Sequence, residues 1–464
     1  MNFASMLFIS NRKLTYFSLL ILSFFCVHAR CMTPQDTLYL KVDDAIKIAL
    51  SESPLIKIAN QEVELKRQGR KEVAGKLMPE LNWVSSYSRA IKKQTMAMTL
   101  PEGTNTIKVG MDNSYNSGVD LNLPIFAPAL YRSMKLSSQD IVLALEKYRA
   151  SKVDLINEVT KSFLQVLLAQ DSYRVLQKSY DQAQVNFSIV LNKFNAGLVS
   201  EYDKIRADVQ VRNLKPAVVS SQNAIRLSIM QLRVVIGLSD DVQVAAIGGL
   251  KDYESELATD TFKKLYSQRS INLTSNTDLR QIDISEKISE QSIKLEKTNF
   301  MPSISASLNY SYVCLSDDFN MKYYQWNPTS VFGVTLVVPL FNASNLPRVK
   351  QARIQLAQLQ QNKINLQRQL YMQANSYLDN MMASVEQIDS NAEGVKEADK
   401  GREIARKMYE VGRGTILDLN DSEVAYTQAE LAYNQSIYDY VVAKSEYNRI
   451  IGIDDLGFTN QENN

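Results

Sequence analysis

From residue 129 to residue 196 the chain carries neither glycine nor proline, and apolar side chains recur there at alternating steps of four and three. Ile141, Leu145, Tyr148, Leu155, Val159, Phe163, Val166, Tyr173, Leu176, Tyr180, Ala183, Phe187, Val190 and Phe194 trace a near-heptad seam, with Lys152 and Gln170 filling two of its slots. At 1.5 Å per residue one helix over this span is about 100 Å long. No single-domain core is that thick, so the segment must bury its seam against other helices of similar reach.

The same architecture is stated twice. GVDLNLPIF at 118–126 and GVTLVVPLF at 333–341 share Gly, Val, Leu, Pro and Phe, and Gly118 to Gly333 is an offset of 215 residues. The offset recurs from Gly197 to Gly412 in FNAGLVSEYD and YEVGRGTILD, and from Gly237 to Gly452 in VVIGL and RIIGI. Three landmarks in one register predict a duplication. Upstream, LMPELNW at 77–83 answers FMPSISA at 300–306, and the surplus of the first half falls in KKQTMAMTLPEGTNTIK at 92–108, which reads as a loop.

After each central glycine the helical periodicity resumes, over 201–236 (interrupted by Pro216) and 416–451, so each half is a helical hairpin. Gly197 and Gly412 supply the left-handed position that ends one helix. Ser200 and Thr415 are placed to cap the next, with Asp203 and Asp418 at the third helical position of a capping box.

Four segments alternate with period two, at about 79–90, 113–123, 302–314 and 330–338. In SISASLNYSYVC, Ile304, Ala306, Leu308, Tyr310 and Tyr312 face one way and Ser303, Ser305, Ser307, Asn309 and Ser311 the other. Such alternation suits a half-buried sheet in a soluble domain and a tilted membrane-spanning strand alike. Aromatics near the strand ends, among them Trp83, Tyr87, Tyr115, Tyr323, Tyr324 and Trp326, match an interfacial girdle.

The N-terminus bears Arg12 and Lys13, an apolar run from Tyr16 to Val27 and a small-residue site at Val27-His28-Ala29, the pattern of a secretory signal over residues 1–29. His28 is the one histidine and leaves with that segment, so no Ser-His or Cys-His nucleophile pair remains. Cys31 and Cys314 form no cluster, no phosphate-cradling glycine loop is present, and no metal site or cofactor is expected. With 52 Lys and Arg against 50 Asp and Glu, no global field points to nucleic acid. An exported chain whose strands lie in lipid cannot leave their edges open, and membrane barrels have at least about eight strands, so four strands per chain require an oligomer. Three chains leave space for a lumen, whereas two give a barrel mostly filled by side chains.

Signal, duplication, strand pairs and hairpins with Gly-x-x-Ser/Thr-x-x-Asp turns together resemble the TolC-like family of outer-membrane efflux and secretion channels, over nearly the whole mature chain. The resemblance implies a mainly α fold with a small membrane β-barrel: a homotrimer with one shared twelve-stranded barrel in outer-membrane lipid and a periplasmic α-helical tunnel. It implies a passive duct, not an enzyme, opened when a periplasmic adaptor and an inner-membrane transporter dock at the helical tips. The organisation is then a signal at 1–29, a first repeat at 30–237, a linking segment at 238–277, a second repeat at 278–452 and a polar tail at 453–464. Carried over by motif, Gly197, Leu198, Val199 and Ser200 with Gly412, Arg413, Gly414 and Thr415 match the adaptor-contacting tips. Asp418 and Asp421 match the aspartates of the constricted entrance, and Asp203 and Tyr409 a pair that latches the closed gate. The latch arginine of the best-known member falls at Gly414, with Arg413 one place early. A periplasmic coiled-coil adaptor or scaffold without a pore is the alternative, since it also uses long hairpins; adaptors, however, carry β-domains between the arms of one hairpin, and this chain has two equivalent hairpins.

Overall fold

The computed structural model describes residues 37–100, 103–256, 266 and 271–453; the expected signal at 1–29 and residues 454–464 of the tail lie outside them. In chain order the elements are β1 (Leu38–Leu40), α1 (Val42–Glu52), α2 (Pro54–Gly75), β2 (Glu80–Arg89), β3 (Gln94–Leu100), β4 (Gly103–Val109), β5 (Asn113–Phe126), α3 (Pro128–Asn195), α4 (Glu201–Ile236) and β6 (Val244–Ala246). They continue with α5 (Thr277–Lys297), β7 (Ser303–Ser316), β8 (Asn327–Val337), α6 (Asn345–Glu410) and α7 (Ile416–Ile451). The chain is mainly α-helical. Its two longest helices, α3 with 68 residues and α6 with 66, are each about 100 Å long.

Neither long helix is covered by one partner. From the tip upward α3 is flanked first by α4 and then by α2, and α6 first by α7 and then by α5. The handover happens at the third repeat landmark. Gly237 ends α4 at φ +86, and a Cβ there would lie 3.0 Å from Ser53 Cα and Pro54 Cδ, at the start of α2. Gly452 ends α7 at φ +74 against Ser275 and Asn276, where α5 begins. Asn276 caps α5 by accepting from Leu279 N and donates to Ile450 O at 2.7 Å. Arg149 of α3 donates to Ser275 O at 2.7 Å while paired with Glu146. At this height the main core gathers Ile46, Phe163, Leu164, Leu167, Leu232, Ile236, Leu378, Ile437 and Tyr440 from α1, α3, α4, α6 and α7.

Pro216 does not interrupt α4, contrary to the reading of the sequence: the helix runs continuously from Glu201 to Ile236 with the proline inside. A proline removes one amide donor and crowds the preceding turn, a local cost that the long flank against α3 outweighs.

At the opposite end from the tips, β2, β5, β7 and β8 form one antiparallel sheet in the order β2-β5-β7-β8. Leu81, Leu121, Leu308 and Phe332 lie in one row of this sheet, and Asn82, Asp120, Asn309 and Val331 in the next, so the alternation read from sequence is in register across all four strands. The apolar face is bare in the single chain: Trp83 is 73% exposed and Phe332 70%. On the polar face Asn309 donates to Asp120. Gly118 pairs with Ser311 so tightly that a Cβ would fall 2.3 Å from the serine Cβ.

The segment 92–108, read as a loop, is instead a second hairpin: β3 and β4 pair from Gln94↔Val109 to Leu100↔Gly103. Its threonines and Ile107 favour strand. Its base is held by Lys93, whose ammonium lies 2.6 Å from Asp317 and 3.3 Å from Asp112.

The joints predict a contrast between two glycines of equal backbone conformation. Gly197, at φ +71, has open space around it, so Gly197→Ala carries only the left-handed penalty of about 1–2 kcal/mol. In Gly452→Ala the new methyl would sit 2.1 Å from Ser275 O. Thermal melting of the purified variants is expected to show a small loss for the first and a far larger one, or failure to assemble, for the second; equal losses would mean that the joint is not tight.

Candidate functional site

The free ends of the two hairpins carry the residues singled out in the sequence, and the turns are built alike. Gly197 and Gly412 take φ +71 and +75, and beyond them Leu198 N donates to Lys193 O at 2.8 Å and Arg413 N to Met408 O at 2.9 Å. These bonds satisfy carbonyls that a helix end leaves open. Both following helices begin with a full capping box. Asp203 N donates to Ser200 Oγ at 3.2 Å while Asp203 Oδ2 accepts from Ser200 N at 3.2 Å. Asp418 N donates to Thr415 Oγ1 at 3.1 Å while Asp418 Oδ2 accepts from Thr415 N at 3.0 Å and from the hydroxyl at 2.6 Å. The Thr415 donors hold the Asp418 carboxyl below the usual carboxylate range.

Gly414 is glycine for a local reason. Its backbone folds onto the end of α6, with Gly414 N donating to Met408 O at 3.0 Å, and a Cβ would stand 3.1 Å from Met408 Cβ and 3.2 Å from Tyr409 N. A side chain added here, the arginine implied by the resemblance included, makes a tight contact that the turn must relieve by a few tenths of an ångström. Arg413 next to it is exposed.

A small core separate from the main one joins the hairpins: Val190 of α3, Ala207 of α4, Tyr409 of α6, and Ile416 and Leu419 of α7, with Phe187, Ile189 and Val199 against it. Because Ile416, Leu419 and Glu423 face inward, Asp418 and Asp421 share an exposed stripe of α7 that continues to Ala425 and Gln428. Leu198, 73% exposed, and Val411 project at the very tips.

Asp203 and Tyr409 lie on opposite hairpins but are not hydrogen-bonded. Asp203 Oδ2 is engaged in its own cap, accepting from Ser200 N and Ser200 Oγ. The Tyr409 hydroxyl is buried without a hydrogen-bond partner, and its pKa is raised by burial and then by the Asp203 carboxylate.

Two polar contacts here were not foreseen. Lys193, in the last turn of α3, donates from Nζ to Tyr409 O at 2.9 Å and to Glu410 O at 3.4 Å, and the ammonium stands 4.4 Å from the Tyr409 ring centroid. Within the second hairpin, buried Glu423 of α7 accepts from Arg406 at 3.0 Å and lies 3.8 Å from Arg402, whose guanidinium stacks 4.1 Å over Tyr426 and pairs with Asp399 at 2.5 Å. Neither is signalled by sequence spacing: Glu423 meets Arg406 and Arg402 through the antiparallel packing of α6 and α7, and Lys193 meets the end of α6 because α3 and α6 end side by side at the tips.

Among the described residues no helix is long and apolar enough to cross a membrane, which leaves the four-stranded sheet with its bare apolar face as the element suited to lipid. The family model described as Outer membrane efflux protein matches residues 45–238 and 269–452. Outer membrane protein TolC of Vibrio cholerae is 22% identical over 379 residues, covering 81% of this chain and 82% of that protein. Among solved structures, the CmeC outer membrane channel of Campylobacter jejuni is similar with a TM-score of 0.69 at 17% identity, covering 89% of this chain and 85% of that one. The outer membrane protein VceC of Vibrio cholerae is similar with a TM-score of 0.70 at 13% identity, covering 89% and 96%. The two matched stretches together span most of the chain, and the chain belongs to the outer membrane efflux protein family: it is a TolC-like efflux channel of the outer membrane, not an enzyme.

Proposed function

We propose that the chain works as a homotrimeric passive duct whose β-sheets close one barrel in the outer membrane and whose hairpins enclose a periplasmic tunnel. The observation that carries this is the four-stranded sheet with two open edges, β2 and β8, and an exposed apolar face. Unpaired edges are not tolerated in hydrocarbon and four strands are too few to close. Pairing β8 of one chain with β2 of the next removes every edge, and three chains supply twelve strands. A second seam agrees: Ile205, Val209, Val219, Leu227, Met230 and Val234 are exposed along one stripe of α4, a surface for the helices of a neighbouring subunit.

The working units are the repeats 30–237 and 278–452, with residues 1–29 as a removed signal. At the tunnel's free end, the turns Gly197–Ser200 and Gly412–Thr415 are the contacts for a periplasmic adaptor, which couples the duct to an inner-membrane transporter. Asp418 and Asp421 line the entrance, where threefold symmetry makes a ring of six carboxylates that favours cations. Asp203 and Tyr409 mark the seam between hairpins that parts on opening.

The test is ion conductance of the detergent-purified protein in a planar bilayer. Small cation-selective steps are expected, with selectivity weakened in Asp418→Asn/Asp421→Asn; no conductance from well-inserted protein would refute the duct, and unchanged selectivity would remove these carboxylates from the entrance.

The capping box adds a pH prediction. Because the folded pKa of Asp418 is depressed, the cap is fully formed above the ordinary carboxylate value of about 3.9 and is lost as pH falls through the lower folded value. Thr415→Ala removes the hydroxyl donor, so loss of cation selectivity, followed by reversal potential against pH in an Asp421→Asn background, is expected at higher pH in the variant than in its parent. Coincident titrations would mean that Thr415 does not hold the carboxylate in the assembled channel.

A further inference from the structure

We propose that Lys193 is the residue that keeps the entrance closed, by clamping the end of the second hairpin to the first. The proposal rests on the entrance reading above. The last carbonyls of a helix have no intrahelical donors and sit at the negative end of its dipole. Those of α6 at Tyr409 and Glu410 are met by an ammonium from another hairpin, at 2.9 and 3.4 Å, which also lies against the face of the Tyr409 ring. This is a charge-assisted contact from a half-buried lysine, placed beside the small apolar core of Val190, Ile416 and Leu419.

Two further observations make it a clamp between bodies and not a local cap. The second hairpin is tied within itself, because Glu423 binds Arg406 and Arg402 and so fixes α6 to α7 just above Asp421. It therefore moves as a unit with its two aspartates. Across the boundary between hairpins, the next hydrogen bond among the described residues is from Thr427 Oγ1 to Ser179 Oγ at 3.0 Å, about four turns of α3 farther from the tip than Lys193. Near the entrance the polar hold between the two bodies is Lys193, and the Tyr409 hydroxyl, which has no hydrogen-bond partner, adds none. Gly414, where the resemblance places a latch arginine, has no side chain to offer.

Full-length wild type, Lys193→Met and Lys193→Arg are compared in planar bilayers, with detergent-phase mass and melting recorded for each. Met keeps the stem and loses the charge and the donors. Hydrogen bonds to charged groups of ordinary strength predict a closed-to-open ratio about tenfold to a hundredfold lower in Lys193→Met, read as larger or longer-lived conducting steps. Lys193→Arg, which keeps charge and donors, is expected to stay near wild type. If Lys193→Met does not assemble, Lys193→Gln, which keeps an amide donor without the charge, gives the same readout. Wild-type steps in an assembled, uncharged variant would overturn the clamp while leaving the duct intact. Absence of conductance in every variant from inserted protein would overturn the duct itself, and the clamp with it.

Discussion

Everything in this molecule follows from a burial problem in one dimension. A helix of about 100 Å exposes an apolar seam along its whole length, and a chain that folds back on it with a helix of 36 residues covers little more than half. The seam is completed by a second, shorter helix that starts where the first one stops. That handover demands the end of one helix within van der Waals contact of the start of another, which is possible only where a Cβ is missing. Gly237 against Ser53 and Pro54, and Gly452 against Ser275, are those points. The main core, with Phe163, Leu232, Leu378 and Ile437, forms around them because five helices meet there.

Away from that belt the structure is thin, and its two ends are governed by polar satisfaction more than by burial. The sheet meets its backbone requirements internally except at β2 and β8. The tips meet theirs with left-handed glycines, two capping boxes and a lysine borrowed from the other hairpin. Asp418 serves a cap with one oxygen while lying on an exposed stripe with Asp421. The two roles are compatible because a capping carboxylate remains ionised, and its hydrogen bonds favour that state.

Much of this was legible from residue order alone, and the reasons are local. Gly197, Ser200 and Asp203 specify a helix end, a cap and a capping box within a few residues, so the turn could be read without tertiary knowledge. The offset common to Gly118, Gly197 and Gly237 revealed the duplication, and its physical meaning, a close approach at 118 and 237 and an open turn at 197, emerged only from the neighbours of each glycine. What stayed hidden depends on partners distant in sequence. Lys193 is an ordinary last-turn lysine until the end of α6 is placed beside it. Glu423 looks like another surface acid on α7 until the antiparallel packing brings Arg402 and Arg406 to it. Pro216 and the segment 92–108 misled for the opposite reason: strong local breakers were overruled by long flanking contacts in one case and by strand pairing in the other.

The belt of glycine joints also sets a mechanical scale. Each hairpin hangs from it by helices of 36 residues, an arm of about 54 Å. On an arm that long, tilting by about 6° at the belt carries the tip sideways by about 5 Å, roughly the width of one helical turn. The joint can therefore stay close-packed, with its side chains shifting by fractions of an ångström, while the far end travels the diameter of a hydrated ion. Leverage of this kind separates the place where stability resides from the place where motion is large.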